Sequence, residues 1–282
     1  MIDVILPVLT VLSLLIASYS DIKSREIPDW LSYGLLFSAL GIRLIFATSS
    51  GWNTFWSGLL GFLVLFFIGY VFYLVSQWGG GDAKLLMGMG AVVGIAIPWS
   101  ASSLAILWYF LLLLFIGSIY GVIWIAVLAI RSRKEVFPKL QDALQEYHLF
   151  HITMVFLTLL LVVLTFFNTL FWPLIIFPLL AFYTFILISV VEKHEFFRQV
   201  HPAKLTEGDW LAEDVGVNGR LVMEKRTLSK EDISQLRRLA AGNKLQKVLV
   251  KDGIPFAPSF LLAYILLLLM DVWSESILGY LF

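Results

Sequence analysis

Residues 55–77 contain no Asp, Glu, Lys or Arg, and residues 85–99 contain none either. About 20 consecutive apolar residues are enough to cross a bilayer as a helix. In hydrocarbon a helix is the one open-chain structure that pairs all its own backbone groups. Between the two runs stands Trp78-Gly79-Gly80-Gly81-Asp82-Ala83-Lys84. A charged side chain within a membrane helix costs about 2.5–3.5 kcal/mol, so a carboxylate at such a place marks a functional site by default. The glycines let the backbone turn tightly and approach a second chain closely. A short polar loop between membrane helices would explain the stretch equally well. A second acid, Asp21, in a similar setting tips the balance.

The apolar pattern repeats along the chain. Candidate membrane helices lie at Val4–Ser20, Trp30–Ala47, Phe55–Gln77, Ala83–Trp99, Ser102–Ile130, Leu149–Phe167, Leu170–Val191 and Pro258–Trp273, about eight in all. Only 14% of residues are charged and the mean hydropathy is +0.88, against about a quarter charged in soluble domains. The expected fold is an all-α polytopic membrane protein with a small cytoplasmic α/β domain. A net charge of +0 gives no electrostatic case for nucleic acid. The absence of cysteine removes disulfides, thiolate metal sites and cysteine nucleophiles, and four histidines are few for a metal cage. Met1-Ile2-Asp3 lacks a basic start and no small-residue cleavage site precedes Asp21, so the first run is expected to be retained.

Basic residues orient the chain. With the N-terminus outside, segments 21–29, 78–84, 131–148 and 192–257 are cytoplasmic, and they hold nearly all the Lys and Arg; only Arg43 lies toward the outer side. Asp21 then follows one crossing and Asp82 follows three, so both acids reach the cytoplasmic face. The sequence divides into a membrane core at 1–130, a basic loop plus a further helix pair at 131–191, a charged α/β domain at 192–257 and a last membrane helix at 258–282. Within the charged domain, Leu221–Glu224 and Leu245–Lys251 read as strands, the latter followed by an Asp252-Gly253 turn. Ser229 and Asp232 form a capping-box pattern that opens a helix Lys230–Ala241, which stops at Gly242-Asn243.

Asp21 ends one apolar run, and Pro28 suits a helix start just after Ile27. Glu26 and Asp29 read as balancing charges in a basic loop. Two carboxylates brought together cannot both ionise easily, so the pair shares a proton. The ionised member can draw a proton from water as it attacks a peptide carbonyl, and the protonated member can donate to the carbonyl oxygen. Such chemistry calls for no metal and no cofactor, and it suits a substrate that is itself a membrane helix.

Gly79-Gly80-Gly81-Asp82-Ala83-Lys84 resembles the GxGD-x-K pattern of the type IV prepilin peptidases, and Asp21 with Ile27-Pro28 resembles that family's first aspartate site. Gly208-Asp209-Trp210-Leu211 and Val250-Lys251-Asp252-Gly253-Ile254-Pro255-Phe256 are similar to the tail of the archaeal preflagellin (archaellin) and prepilin peptidase branch. The resemblance implies a membrane aspartyl endopeptidase. Such an enzyme removes the short basic leader of prepilin-like or archaellin-like precursors at the cytoplasmic membrane face. It implies Asp21 and Asp82 as the catalytic pair, with Gly79, Gly81, Lys84, Ile27 and Pro28 in support. Without the cysteine-pair domain of bacterial members, proteolysis without N-methylation is expected. Asp29 stands where the family commonly has Asn.

Other features carry less. His148 and His151 could face together, and interfacial histidines are the simpler reading. Met87-Gly88-Met89-Gly90 suits close helix packing or the entry of a substrate helix. Glu207, Asp209, Glu213 and Asp214 form an acidic stretch that could draw in a basic leader, or simply be a solvated loop. Three other readings stand beside the protease. A proton-coupled transporter would use the same acids as a relay, yet such acids usually lie near the midplane on interrupted helices within repeats. A docking protein would not need both acids. A presenilin-like protease would call for a tyrosine before the first aspartate, where Ser20 stands.

Overall fold

The structure is a computed structural model that describes residues 1–75, 77–217, 220–242, 245–251 and 253–281, with the backbone alone at 101, 220 and 271–281. In chain order the elements are α1 (Ile2–Ser24), α2 (Asp29–Ser50), α3 (Asn53–Leu74), α4 (Gly80–Val93), α5 (Ala105–Arg131), α6 (Arg133–Glu146), α7 (His148–Phe167), α8 (Phe177–Glu195), β1 (Phe197–Val200), β2 (Trp210–Leu211), β3 (Val215–Val217), β4 (Arg220–Met223), α9 (Lys230–Ala241), β5 (Val248–Lys251) and α10 (Ala257–Leu281). Six helical stretches among the described residues are long and apolar enough to cross a membrane: Ile2–Ser24, Asp29–Ser50, Asn53–Leu74, Ser102–Arg131, His148–Phe167 and Thr169–Glu195. Of the other two expected spans, α4 is short, with 14 residues, or about 21 Å at the α-helical rise, and α10 has 25 residues, apolar over Ala257–Met270, the part whose side chains are described.

The chain forms two compact units, Met1–Tyr120 with Ile254–Phe282, and Gly121–Gly253. In the first, α4 packs on both α2 and α3, while α1 packs on α2 and α10. Its core gathers Leu14, Leu35, Leu65, Leu85, Leu86, Met89, Tyr109, Leu113 and Phe260, all fully buried. The sequence explains the closeness of α3 and α4. A Cβ on Gly61 would stand 2.2 Å from the Gly90 carbonyl oxygen, and one on Gly90 would stand 2.4 Å from that of Gly61. Only paired glycines let these backbones touch.

Arg43, the basic residue set toward the outer side, lies in the second half of α2. It is buried, and its guanidinium donates to the carbonyls of Ala91 (2.8 Å), Val92 (2.7 Å), Val93 (3.3 Å) and Thr54 (3.1 Å). The last carbonyls of a helix have no intrahelical donor. A planar five-donor cation answers several at once and suits the negative end of the helix dipole. Gly58 makes room, since a Cβ there would lie 2.3 Å from the Arg43 side chain.

In the second unit, α6 and α7 pack on α8. The segment expected as a basic loop holds the helix α6. Its charges hid an apolar face that includes buried Val136 and half-buried Leu140, Ala143 and Leu144 at helical spacing. Beyond α8, β1 and β2 both pair antiparallel with β5, and β3 pairs with β4. The α9 boundaries and its capping box are as the sequence predicts: the Ser229 hydroxyl accepts from the Asp232 N–H, and the Asp232 carboxylate accepts from the Ser229 N–H. Both expected strands are present: β4 lies one residue earlier than expected at the same length, and β5 is shorter, starting at Val248. Asn243, in the expected helix stop, and Asp252, in the expected Asp252-Gly253 turn, lie outside the described residues. Leu205, Leu211, Leu236 and Val250 are fully buried between the sheet and α9.

Candidate active site

The first acid sits in the last turn of α1. Arg25 closes that helix in the left-handed conformation, its N–H bonded to the Asp21 carbonyl. Pro28 then holds an extended backbone ahead of α2, as its fixed φ and missing donor favour. A carboxylate at the C-terminal end of its own helix meets the negative end of that dipole. Asp21 is nevertheless buried, at 7% exposure. Its compensation comes from a different helix. The Ala257 N–H, at the start of α10, donates to Asp21 Oδ2 at 2.8 Å, with the Phe256 amide alongside and the positive charge of Arg25 nearby. The first amides of a helix have no intrahelical acceptor and favour an anion.

The second acid stands in the first turn of α4. Gly79 is the residue before that helix, and Gly80, Gly81 and Asp82 open it. The Asp82 carboxylate reaches back to the Gly79 amide, the return half of a capping box. A Cβ on Gly79 would lie 3.6 Å from Asp82 Oδ2. Gly81 serves a different contact: a Cβ there would come within 3.2 Å of the Ile27 Cβ. Ile27 is buried, so Ile27-Pro28 seats the start of α2 against the start of α4. α1 touches α4, and Asp21 is the charge that acts on Asp82.

Lys84 donates to Asp29 Oδ1 at 2.6 Å and lies over the Tyr33 ring at 5.6 Å. The acid whose role was open in the sequence is thus the partner of the motif lysine. Met87-Gly88-Met89-Gly90 is spent on packing: Met89 is fully buried, and a Cβ on Gly88 would meet the Leu35 side chain at 3.3 Å.

The remaining sequence candidates lie in the second unit. His148 Nδ1 is 3.1 Å from the Gln145 carbonyl, and His151 Nε2 is 3.2 Å from the Tyr183 hydroxyl while its ring stacks on Phe182. Both have structural partners. Among the described residues no group of three or more His, Asp and Glu side chains could hold a metal ion. The Asp209 carboxylate accepts from the Thr206 N–H, Asp214 accepts from the Lys225 N–H, and Glu207 pairs with Lys230 at 3.3 Å. Two of the four acids therefore shape their own loops, and a third makes an exposed ion pair with the start of α9. Glu213 lies on the same stretch. Arg43 and the Ala257 amide are contributions the sequence reading did not single out.

Fold and site together define a largely helical chain of membrane composition, with two carboxylates at the adjoining ends of touching helices. Residues 8–126 match the type IV leader peptidase family. The chain is 42% identical over 84 residues to a preflagellin peptidase of Methanococcus voltae, 40% over 91 residues to one of Methanocaldococcus jannaschii and 37% over 87 residues to one of Methanococcus maripaludis. Each match covers 29% of this chain, and the chain spans about a third of the length of these curated relatives, 35% to 36%. No solved structure matches the chain.

Proposed function

We propose that this protein is a membrane-embedded aspartyl endopeptidase that removes the short basic leader from prepilin-like or preflagellin-like precursors at the cytoplasmic membrane face. One observation carries the reading. The two segments that bear Asp21 and Asp82 adjoin in space, and both lie within the stretch that matches a family of leader peptidases. The preflagellin peptidases named above supply the substrate class.

The chemistry follows from the pair. One carboxylate is ionised and takes a proton from a water held between the two. The oxygen of that water attacks the scissile carbonyl while the protonated carboxyl donates to its oxygen, giving a tetrahedral diol. Collapse of the diol breaks the C–N bond, and the proton taken from water passes to the leaving amine. The roles of base and acid belong to the pair, which returns to its starting state with one shared proton. Gly79 and Gly81 bring the backbone close, Ile27 and Pro28 pack beside it, and Lys84 is steadied by Asp29.

The same reading takes α4 and α10 as crossings too, the fourth and the eighth along the chain, with the N-terminus outside and 192–257 cytoplasmic. The substrate then approaches as a membrane helix with its leader at the inner face, and Glu207, Asp209, Glu213 and Asp214, three of which also make local contacts, add negative charge that attracts basic leaders. Nothing in the matches favours a proton-coupled transporter. The test is incubation of the purified protein with a preflagellin-like precursor, followed by mass spectrometry of the fragments. Cleavage at the leader junction supports the reading, and an intact precursor in the presence of folded protein contradicts it.

A further inference from the structure

We propose that Phe256 and Ala257 are positioning residues: one two-residue piece of chain that holds both aspartate-bearing segments in register. Ala257 is fully buried, and its N–H fixes one oxygen of Asp21. The ring of its neighbour holds the approach to Asp82. Phe256 packs on Trp78 with ring centres 5.6 Å apart, Phe260 packs on Trp78 at 6.0 Å, and Trp78 in turn leans on Phe72 of α3 at 4.7 Å. Trp78 immediately precedes the Gly79–Asp82 turn, so its placement sets where α4 begins. The Phe256 ring is itself seated against bare backbone. A Cβ on Gly117 of α5 would stand 2.5 Å from two of its carbons, so any larger residue there would displace the ring.

Ordinary packing and ordinary helix capping would each account for one of these contacts. Their meeting on consecutive residues is what assigns a role. Any shift of the Phe256-Ala257 peptide moves the Asp21 carboxylate and the Trp78 support of Asp82 together. It also gives a use to Phe256, a residue the catalytic scheme leaves idle. The consequence for turnover rests on the protease reading; the clamp itself does not.

Two measurements on the full-length protein in lipid nanodiscs decide it. The first is hydrogen exchange at the Ala257 amide in 15N-alanine-labelled protein. Asp21→Ala should speed exchange at that amide by roughly tenfold or more, since a buried charged acceptor is lost, while Asp21→Asn, which can still accept, should leave it slow. The second is steady-state cleavage of a preflagellin-like precursor. Phe256→Ala should lower kcat by about 10²-fold with KM within about twofold, the pattern of misplaced catalytic groups rather than lost binding, and Phe256→Leu should recover most of the loss. Unchanged Ala257 exchange in Asp21→Ala overturns the proposal, as does a wild-type kcat in Phe256→Ala. If the wild-type protein cleaves nothing, the protease reading falls and the exchange result alone decides the clamp. If Phe256→Ala does not fold, the Asp21 variants still decide it.

Discussion

The Lys84 ammonium stands 2.6 Å from the Asp29 carboxylate, and this ion pair ties the start of α4 to the first turn of α2. It lies beside the proposed dyad without belonging to it. Both side chains are partly or largely exposed, so the pair belongs with ion pairs worth about 0.2–1 kcal/mol. Asp29→Asn should therefore lower stability by no more than about 1 kcal/mol and leave most of the cleavage rate intact. A double-mutant cycle on Asp29→Asn and Lys84→Ala, read by thermal unfolding, checks the coupling.

Arg43 should be among the least replaceable residues of the first unit. Arg43→Met strands several carbonyls at the end of α4, at a cost on the order of 3 kcal/mol or more by the usual value of a lost charge-assisted hydrogen bond. Arg43→Lys keeps the charge and loses the fork, so it should fall between. Thermal unfolding of the three proteins in one detergent gives the order.

The glycines divide by what their missing side chain would meet. Gly61→Ala forces α3 and α4 apart and should destabilise the protein by about 1–3 kcal/mol, as overpacking does. Gly41→Ala has nothing within 4 Å and should be neutral, or stabilising by up to about 1 kcal/mol through helix propensity. Equal melting temperatures for the two variants would refute the close α3–α4 packing.

Much of this was legible from the chain. Six long helices follow from apolar runs because nothing else satisfies their backbone in a membrane, and α9 follows from Ser229 and Asp232. The rest was hidden for identifiable reasons. α6 carries too many charges for hydropathy to find it. Arg43 reads as a boundary charge because its partners are carbonyls, which leave no mark on a sequence. The aspartates themselves stand out as acids beside apolar runs, whereas the amide that holds Asp21 lies 236 positions further along the chain.

Acid should loosen α9 before it loosens anything held by apolar packing. Burial pushes the Asp232 carboxyl up, but the Ser229 N–H, the Arg226 guanidinium and the Ser229 hydroxyl together outweigh it and hold the group below the usual carboxylate range. A folded-state pKa below the unfolded one gives stability that is present above the unfolded value, about 4, and is lost as pH falls through the lower folded value. Hydrogen exchange of α9 amides, corrected for intrinsic rates, should show protection falling below about pH 4. Asp232→Asn should remove that dependence. A variant that keeps the full acid response would exclude Asp232 as its source.

The most direct test of the central claim is the cleavage rate of purified Asp21→Asn and Asp82→Asn with a preflagellin-like precursor, each variant checked for folding by its melting temperature. Asn can still accept from the Ala257 and Gly79 amides, so both proteins should fold. It can neither take a proton from water nor supply one as an acid does, and such roles are each worth about 10²–10⁴-fold. Because the two act as a unit, the double variant should resemble either single one, and the wild-type pH–rate profile should be bell-shaped with limbs that belong to the pair. The account predicts that both folded variants lose at least about 10²-fold in rate. A well-folded Asp21→Asn or Asp82→Asn protein that keeps more than about a tenth of the wild-type rate would contradict it, given that factor.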